Sequence, residues 1–295
     1  MTAHIQSNQS ITWQDSLPAP GKAPWRFRAL GKGINLFGRV APEKAGRLAN
    51  RLWFTPTRGG AGARYEYLLE RPDTFTQLRF GAYDLPVFSW GAGPAVLFVH
   101  GWSGAGIQFG AMVEPLVRAG YRVVVFDAPG HGRAQGSRTD VFEIARVVRE
   151  VAGIFGRVHG LVAHSVGSVA AVLAVAEGLA VDRLGLIAPP ASLASVVRSF
   201  GAGLGLSQPV LDVHARLLEE RFGKDVWQRL DLTRRVGQIG VPGLIISDRH
   251  DRQVPVQEGQ SLAVHWPEAR FLETRKLGHN RILESEQALA ALVAF

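Results

Sequence analysis

The sequence predicts an α/β fold, a mostly parallel, doubly wound sheet with a helical insertion. Three observations lead there. From Thr76 onward, short apolar runs alternate with segments whose apolar residues recur at helical spacing, the pattern of strand–helix–strand crossovers. A tight strand-to-helix junction falls at Ser165, in Leu161-Val162-Ala163-His164-Ser165-Val166-Gly167-Ser168. Residues 190–241 carry no strand pattern, only helical pieces.

Taken in order, residues 76–80 and 85–90 read as short strands parted by turn residues, and 95–100 as a buried strand. Phe109, Met112, Val113, Leu116 and Val117 mark one face of a helix, and 121–126 is another apolar strand. Val141, Ile144, Val148, Val151 and Phe155 line a second helix. Residues 161–164 lead into Ser165, and the helix that follows is apolar all round, as a helix buried on every side must be. Further strands are expected at 184–188, 243–246 and 270–274. Parallel strands joined by helices take right-handed crossovers, so both faces of the sheet are covered.

Within 190–241 the clearest helix starts at Ser207 as N-cap, carries Pro209 in its first turn and stops at Gly223. Val210, Val213, Leu217, Leu218 and Phe222 form its inner face. An insertion after the sixth strand sits above the carboxyl ends of the strands, where open α/β sheets bind ligands, and it reads as a cap. Its Leu193, Phe200, Leu204 and Leu211, with Arg198 and Arg216, suggest an apolar ligand carrying a polar or anionic group. The chain is thus expected to divide into an N-terminal extension (1–75), a first core segment (76–189), the cap (190–241) and a second core segment (242–295).

The extension holds a helix at 42–54 that packs on the core or lies against a partner. It also holds Gly59-Gly60-Ala61-Gly62-Ala63, which lacks the Lys-Ser/Thr and the strand-to-helix context of a phosphate-binding loop and reads as a flexible connector.

A chain of 295 residues, 46% of them hydrophobic, can bury one large core without cross-links. Cysteine is absent, which removes disulfides, thiolate metal sites and cysteine nucleophiles and fits a reducing compartment. The net charge of +8 comes from scattered residues with no basic block and no nucleic-acid motif, so nucleic acid is not an expected partner. Residues 1–20 lack the charged start and apolar run of a signal peptide, and the apolar stretch at 170–175 is far too short to span a bilayer. The expectation is a cytoplasmic protein with no integral membrane segment. The stretch Trp25-Arg26-Phe27-Arg28 leaves a peripheral membrane or partner contact as an additional reading.

A serine at the tip of a strand-to-helix turn projects its hydroxyl out of the sheet, and the N–H groups opening the helix face whatever it attacks. Strand and helix backbones nearly touch there, so the flanking residues must be small, as Ala163 and Gly167 are. A serine nucleophile also needs a base and an orienting acid. Asp251, in His250-Asp251-Arg252-Gln253-Val254-Pro255, and His279, in Leu277-Gly278-His279-Asn280, follow in that order.

With His100-Gly101-Trp102 and Asp127-Ala128-Pro129-Gly130-His131-Gly132, these motifs make the chain from about Thr76 to Phe295 resemble the α/β-hydrolase fold superfamily, in particular its bacterial, esterase-like members with a helical cap. The resemblance implies Ser165 as nucleophile, His279 as general base and later acid, and Asp251 as the orienting carboxylate ahead of a Val-Pro pair. Asp248 is a rival acid three residues earlier, read instead as a loop hydrogen-bonder. The backbone N–H groups of Trp102 and Val166 are the implied oxyanion donors. His100, His131 and His164 form no paired ligand set, so neither metal nor cofactor is expected. His100 and Asp127 are expected to bond across loops, and Gly130 and Gly132 to relieve a tight turn. Two departures stand out: Ala163 opens the elbow in place of glycine, and Arg133-Ala134 stand where relatives often carry serine. The implied reaction is hydrolysis of a carboxylic ester or thioester of a small-molecule acyl substrate through an acyl-enzyme. The alternatives are acyl transfer, amide hydrolysis, carbon–carbon bond cleavage and non-catalytic ligand binding. The sequence does not speak to oligomeric state.

Overall fold

Runs such as Val123-Val124-Val125-Phe126 are β-branched and aromatic, and all four residues are buried because the sheet they enter is covered on both faces. The computed structural model describes residues 25–60 and 62–295. The first 24 residues of the extension, with the expected absence of a signal peptide, lie outside the described residues, as does Ala61 of the glycine-rich run.

Two helices come first, α1 (Trp25–Gly38) and α2 (Pro42–Trp53), followed by a 3-10 helix at Ala63–Glu70. The sheet begins with β1 (Thr74–Phe80), β2 (Tyr83–Trp90) and β3 (Ala95–Val99). Then come α3 (Gly110–Arg118), β4 (Arg122–Phe126), α4 (Val141–Phe155), β5 (Val158–His164), α5 (Val166–Ala176) and β6 (Val181–Ile187). Four helices follow without a strand: α6 (Leu193–Leu204), α7 (Gln208–Phe222), α8 (Val226–Arg229) and α9 (Leu232–Val236). The chain ends with β7 (Gly243–Asp248), α10 (Val256–His265), β8 (Ala269–Thr274), α11 (Gly278–Arg281) and α12 (Glu286–Val293).

The eight strands lie in the order β1-β2-β4-β3-β5-β6-β7-β8. The pairs β1–β2 and β2–β4 are antiparallel, and every other pair is parallel. One buried cluster holds Val124, Leu97 and Leu161 of the sheet with Ile144 and Val148 of α4 and Val172 of α5. The cluster on the other face joins Val96, Phe98 and Val125 to Met112 and Leu116 of α3 and Leu292 of α12. Phe98 and Phe109 are both fully buried, with ring centroids 4.8 Å apart, and burying each such ring stabilises the fold by about 1.5–3 kcal/mol.

Strand order reverses at β3, with β4 on one side and β5 on the other. The carboxyl ends of β3 and β5 therefore open onto the crevice where a doubly wound sheet takes its ligand. The insertion α6–α9, between β6 and β7, lies on that side, and the N-terminal helices pack on it: α2 runs against α7 and α1 against α6. Glycines set the approach. A Cβ on Gly46 would lie 2.2 Å from Val213 Cγ1, and one on Gly31 1.6 Å from the Leu204 carbonyl oxygen. Ile34, Ala45, Ala49 and Val210 form a small core between the two helix pairs. The Asn35 side chain donates to the Gly205 carbonyl at 2.6 Å and accepts from the Ser207 N–H at 2.8 Å. Ser207 does occupy the N-cap position of α7, but its side chain makes no capping bond. The glycine-rich run is fitted where its end is described: Gly62 has φ +78°, and a Cβ there would be 2.6 Å from the Ile107 carbonyl oxygen.

Candidate active site

Ser165 follows the last residue of β5 and caps α5, with φ 54° and ψ −130°. A non-glycine residue held at positive φ costs about 1–3 kcal/mol, which the surroundings must supply. Here they do so in several ways. The Ser165 N–H donates to the Ile187 carbonyl at 2.9 Å, and α5 is packed beneath it on all sides. Gly167 admits the β3 end, since a Cβ there would sit 2.4 Å from the His100 carbonyl oxygen. The turn His100-Gly101-Trp102 lies against the serine, with a Gly101 Cβ position only 3.0 Å from Ser165 Cβ.

Two loops bring the other polar groups. Asp251 follows β7, and His279 lies in α11 after β8. His279 Nδ1–H donates to Asp251 Oδ2 at 2.7 Å, and the Ser165 hydroxyl donates to His279 Nε2 at 2.9 Å. That tautomer follows from an acid that accepts and a hydroxyl that donates. The second oxygen of Asp251 accepts the N–H groups of Gln253 and Val254 at 2.7 and 3.0 Å, so its carboxylate plane is fixed from both sides.

Asp248 stands apart from the imidazole and ties the two loops together. Its oxygens accept the N–H groups of His250 and Gly278 at 2.9 and 3.0 Å, the Thr274 hydroxyl at 2.9 Å and the Leu277 N–H at 3.1 Å. Burial alone raises its pKa, but the donors from Gly278, His250, Leu277 and Thr274 together outweigh it and hold the carboxyl below its ordinary value.

Val166 is the first residue of α5, so its N–H has no acceptor within the helix, and the Trp102 N–H belongs to the turn against Ser165. Asp127 Oδ1 accepts the Gly106 N–H and Oδ2 the Arg133 N–H, at 2.7 and 2.8 Å, bracing the loops behind that turn. His100 donates from Nδ1 to the Gly101 carbonyl and accepts the Ala128 N–H at Nε2. Burial lowers its pKa against the opposing pull of Asp127. Gly130 and Gly132 take φ of 76° and 43°, and a Cβ on Gly132 would collide with the Asp127 carboxylate at 2.3 Å. His131 donates to the Pro129 carbonyl, and burial, with His100 beside it, pushes its pKa down to about 3. Among the described residues no cluster of three or more His, Cys, Asp or Glu is placed to hold a metal ion.

Sequence reasoning missed the roles of several members of the site. The buried His164 ring donates from Nε2 to the His279 carbonyl at 2.9 Å and accepts from Gln108 Nε2 at Nδ1, 3.2 Å away. Burial first, and His279 second, push its pKa well below 6.5, which keeps the ring neutral and the two bonds in place. Gln108 stands out only as a polar residue between the buried Ile107 and Phe109. Ser103, at φ 58°, accepts the N–H and hydroxyl of Thr57 at 3.0 and 3.1 Å, tying the end of the N-terminal segment to the Trp102 turn.

A cavity of about 1070 Å³ opens above Ser165 and His279. Phe142 and Val169 of the core, Leu193, Phe200, Leu204, Leu218 and Phe222 of the insertion, and Phe27, Leu30, Leu52 and Trp53 of the N-terminal helices line it. Leu211, Arg198 and Arg216 do not. Arg216 pairs instead with Glu43 of α2 and Glu220 of its own helix, which removes it from any contact with a ligand's anionic group.

The sequence pattern of the family described as alpha/beta hydrolase fold matches residues 94–204. A 2-hydroxy-6-oxononadienedioate/2-hydroxy-6-oxononatrienedioate hydrolase from Cupriavidus pinatubonensis is 30% identical over 255 residues, 69% of this chain and 86% of that protein. The chain belongs to the α/β-hydrolase fold superfamily. A pimeloyl-[acyl-carrier protein] methyl ester esterase from Xanthomonas axonopodis pv. citri is 29% identical over 243 residues, 70% of this chain and 96% of that protein. Among solved structures, a hydrolase from Pseudomonas aeruginosa superposes with a TM-score of 0.59 at 20% identity, covering 76% of this chain and 98% of its own. A thermophilic esterase from Thermogutta terrifontis gives 0.56 at 21%, covering 75% and 96%. As an α/β-hydrolase the chain is a hydrolytic enzyme, and its described residues contain no helix long and apolar enough to cross a membrane.

Proposed function

We propose that the protein is a serine hydrolase that cleaves carboxylic esters or thioesters through an acyl-enzyme on Ser165. One arrangement carries the reading: the His279 ring lies within bonding reach of both the Ser165 hydroxyl and the Asp251 carboxylate. Ser165 Oγ attacks the acyl carbon while its proton passes to His279 Nε2, and Asp251 stabilises the imidazolium that forms. The tetrahedral oxyanion faces the N–H groups of Val166 and Trp102, where losing one donor typically costs ~2.7–4 kcal/mol of barrier. Collapse expels the alcohol or thiol with the proton from Nε2. Water then attacks the acyl carbon with His279 as base, and Ser165 leaves with its proton restored. The insertion acts as a cap over the acyl group.

A second reading is carbon–carbon bond hydrolysis on the same three residues, which the Cupriavidus relative favours by its name. That relative's dienedioate is a dianion, whereas Arg252 is the sole Lys or Arg among the described residues lining this cavity. An uncharged acyl group suits the cavity better.

The test is hydrolysis of short-chain p-nitrophenyl esters by the wild type and by Ser165→Ala at matched folding. Turnover by the wild type, abolished in the variant, is the expected result. Equal rates for the two proteins would sink the reading.

A further inference from the structure

The cavity above Ser165 has a wall that the sheet and the insertion do not supply. Phe27 and Leu30 of α1 and Leu52 and Trp53 of α2 face it, beside Phe200 and Leu204 of α6. We propose that α1 and α2 complete a binding site for a long apolar acyl chain, whose methyl end lies against Phe27 and Leu30. The name of the bound group, an acyl chain, rests on the serine-hydrolase reading above. The existence of the site does not.

The wall is held in place. Gly31 leaves no room for a Cβ against the Leu204 backbone, nor Gly46 against Val213, and Asn35 bonds both sides of the α6–α7 turn. Trp53 packs edge-on to Phe200 with centroids 5.2 Å apart, which joins the N-terminal helices to the insertion at the cavity surface. Together α1, α2, α6 and α7 make a roof with fixed spacing rather than a loose flap.

The size and chemistry of the space select the ligand. A cavity of about 1070 Å³ matches the upper end of small-molecule sites, about 300–1,000 Å³, and an acetyl group would leave most of it unfilled. Among the described residues, the charged ones that line it are Asp140, Arg252 and Glu284. Asp140 is already bonded to Arg221, and Glu284 to Arg64. Arg252 is next in the chain to Asp251. Among the described residues, α1 and α2 line the cavity with Phe27, Leu30, Leu52 and Trp53 alone, so this wall receives hydrocarbon. Each methylene buried there strengthens binding about fourfold.

The experiment uses the full chain and two substitutions at Leu30, which is partly exposed and so tolerates a change of size. Leu30→Trp fills the far end of the cavity, and Leu30→Ala enlarges it. Binding of cis-parinaric acid, a long fluorescent fatty acid, is measured on the Ser165→Ala background. The kcat/KM ratio of p-nitrophenyl dodecanoate to acetate is measured with Ser165 intact. Leu30→Trp is expected to weaken parinaric acid and lower the ratio by about tenfold or more, while Leu30→Ala holds or raises both. Structural damage would move the two variants in the same direction. No parinaric acid binding, equal affinity in both variants, or a fall in both would overturn the inference. Should the wild type cleave no ester while parinaric acid binding follows the expected pattern, the serine-hydrolase reading fails and the site stands. Ester hydrolysis with unaltered chain-length preference in both variants gives the reverse.

Discussion

The residue before the proposed nucleophile holds the backbone of the proposed base: His164 donates its Nε2–H to the His279 carbonyl at 2.9 Å. The two rings also pack with centroids 4.7 Å apart. Gln108, just before α3, bonds the far nitrogen of His164 and fixes its tautomer, so a chain of neutral hydrogen bonds reaches from there to the His279 backbone carbonyl.

Replacing His164 with Phe keeps the ring's volume and removes that bond. The prediction is a fall in kcat of up to about 100-fold with KM little changed, since a displacement of an ångström at a reacting group can cost that much. Steady-state kinetics alongside thermal unfolding checks it. A loss of melting temperature with kcat intact would assign His164 to packing alone.

Asp251 and Asp248 separate by readout. Asp251→Asn is expected to lower kcat about 10⁴-fold by favouring the wrong imidazole tautomer, with a small change in stability. Asp248→Asn is expected to destabilise, because it weakens acceptance from the Leu277 and Gly278 N–H groups. The folded pKa of Asp248 lies below its ordinary value, so its contribution is present at neutral pH and lost as pH falls through the folded pKa. The stability gap between the wild type and Asp248→Asn should therefore close in acid. A gap that widens on acidification would contradict this account.

A second pH dependence comes from the roof. His214 of α7 is buried against Trp53 and Phe200 and bonds Asn50, and burial lowers its pKa from 6.5 to about 4. The unfolded chain takes up the proton first, so stability falls as pH drops from about 6.5 and stops falling near 4. The loss over that window is about 3 kcal/mol. His214→Phe should flatten the wild-type slope of melting temperature against pH between those limits. An unchanged slope would show that His214 does not carry the effect.

How much of this was legible in the sequence follows from what each signal depends on. Strands such as β4 and β7 announce themselves by unbroken apolar runs, and the expected strands lie within three residues of those found. The start of β6 was missed because Asp182 and Arg183 interrupt the apolar pattern at its half-exposed end. The proposed nucleophile, acid and base, Ser165, Asp251 and His279, were readable as residue types in order, because few side chains serve in those roles. Their distances were not readable, since Asp248 sets them by pinning two loops that are remote in sequence.

The roof was the least legible part. A glycine within a helix reads as a weak point, and Gly31 and Gly46 become close contacts only when Leu204 and Val213 are opposite them. Arg198 and Arg216 misled for the same reason: the sequence shows that a helix carries arginine, not which side faces the ligand.

The central claim is that Ser165 is a nucleophile activated by His279. Its most direct test is the intact mass and tryptic map of the protein after exposure to a fluorophosphonate. A single adduct is expected on the peptide containing Ser165 in the wild type, none in Ser165→Ala, and much slower labelling in His279→Ala. A wild type that stays unlabelled while folded, or labels at another serine, would contradict it.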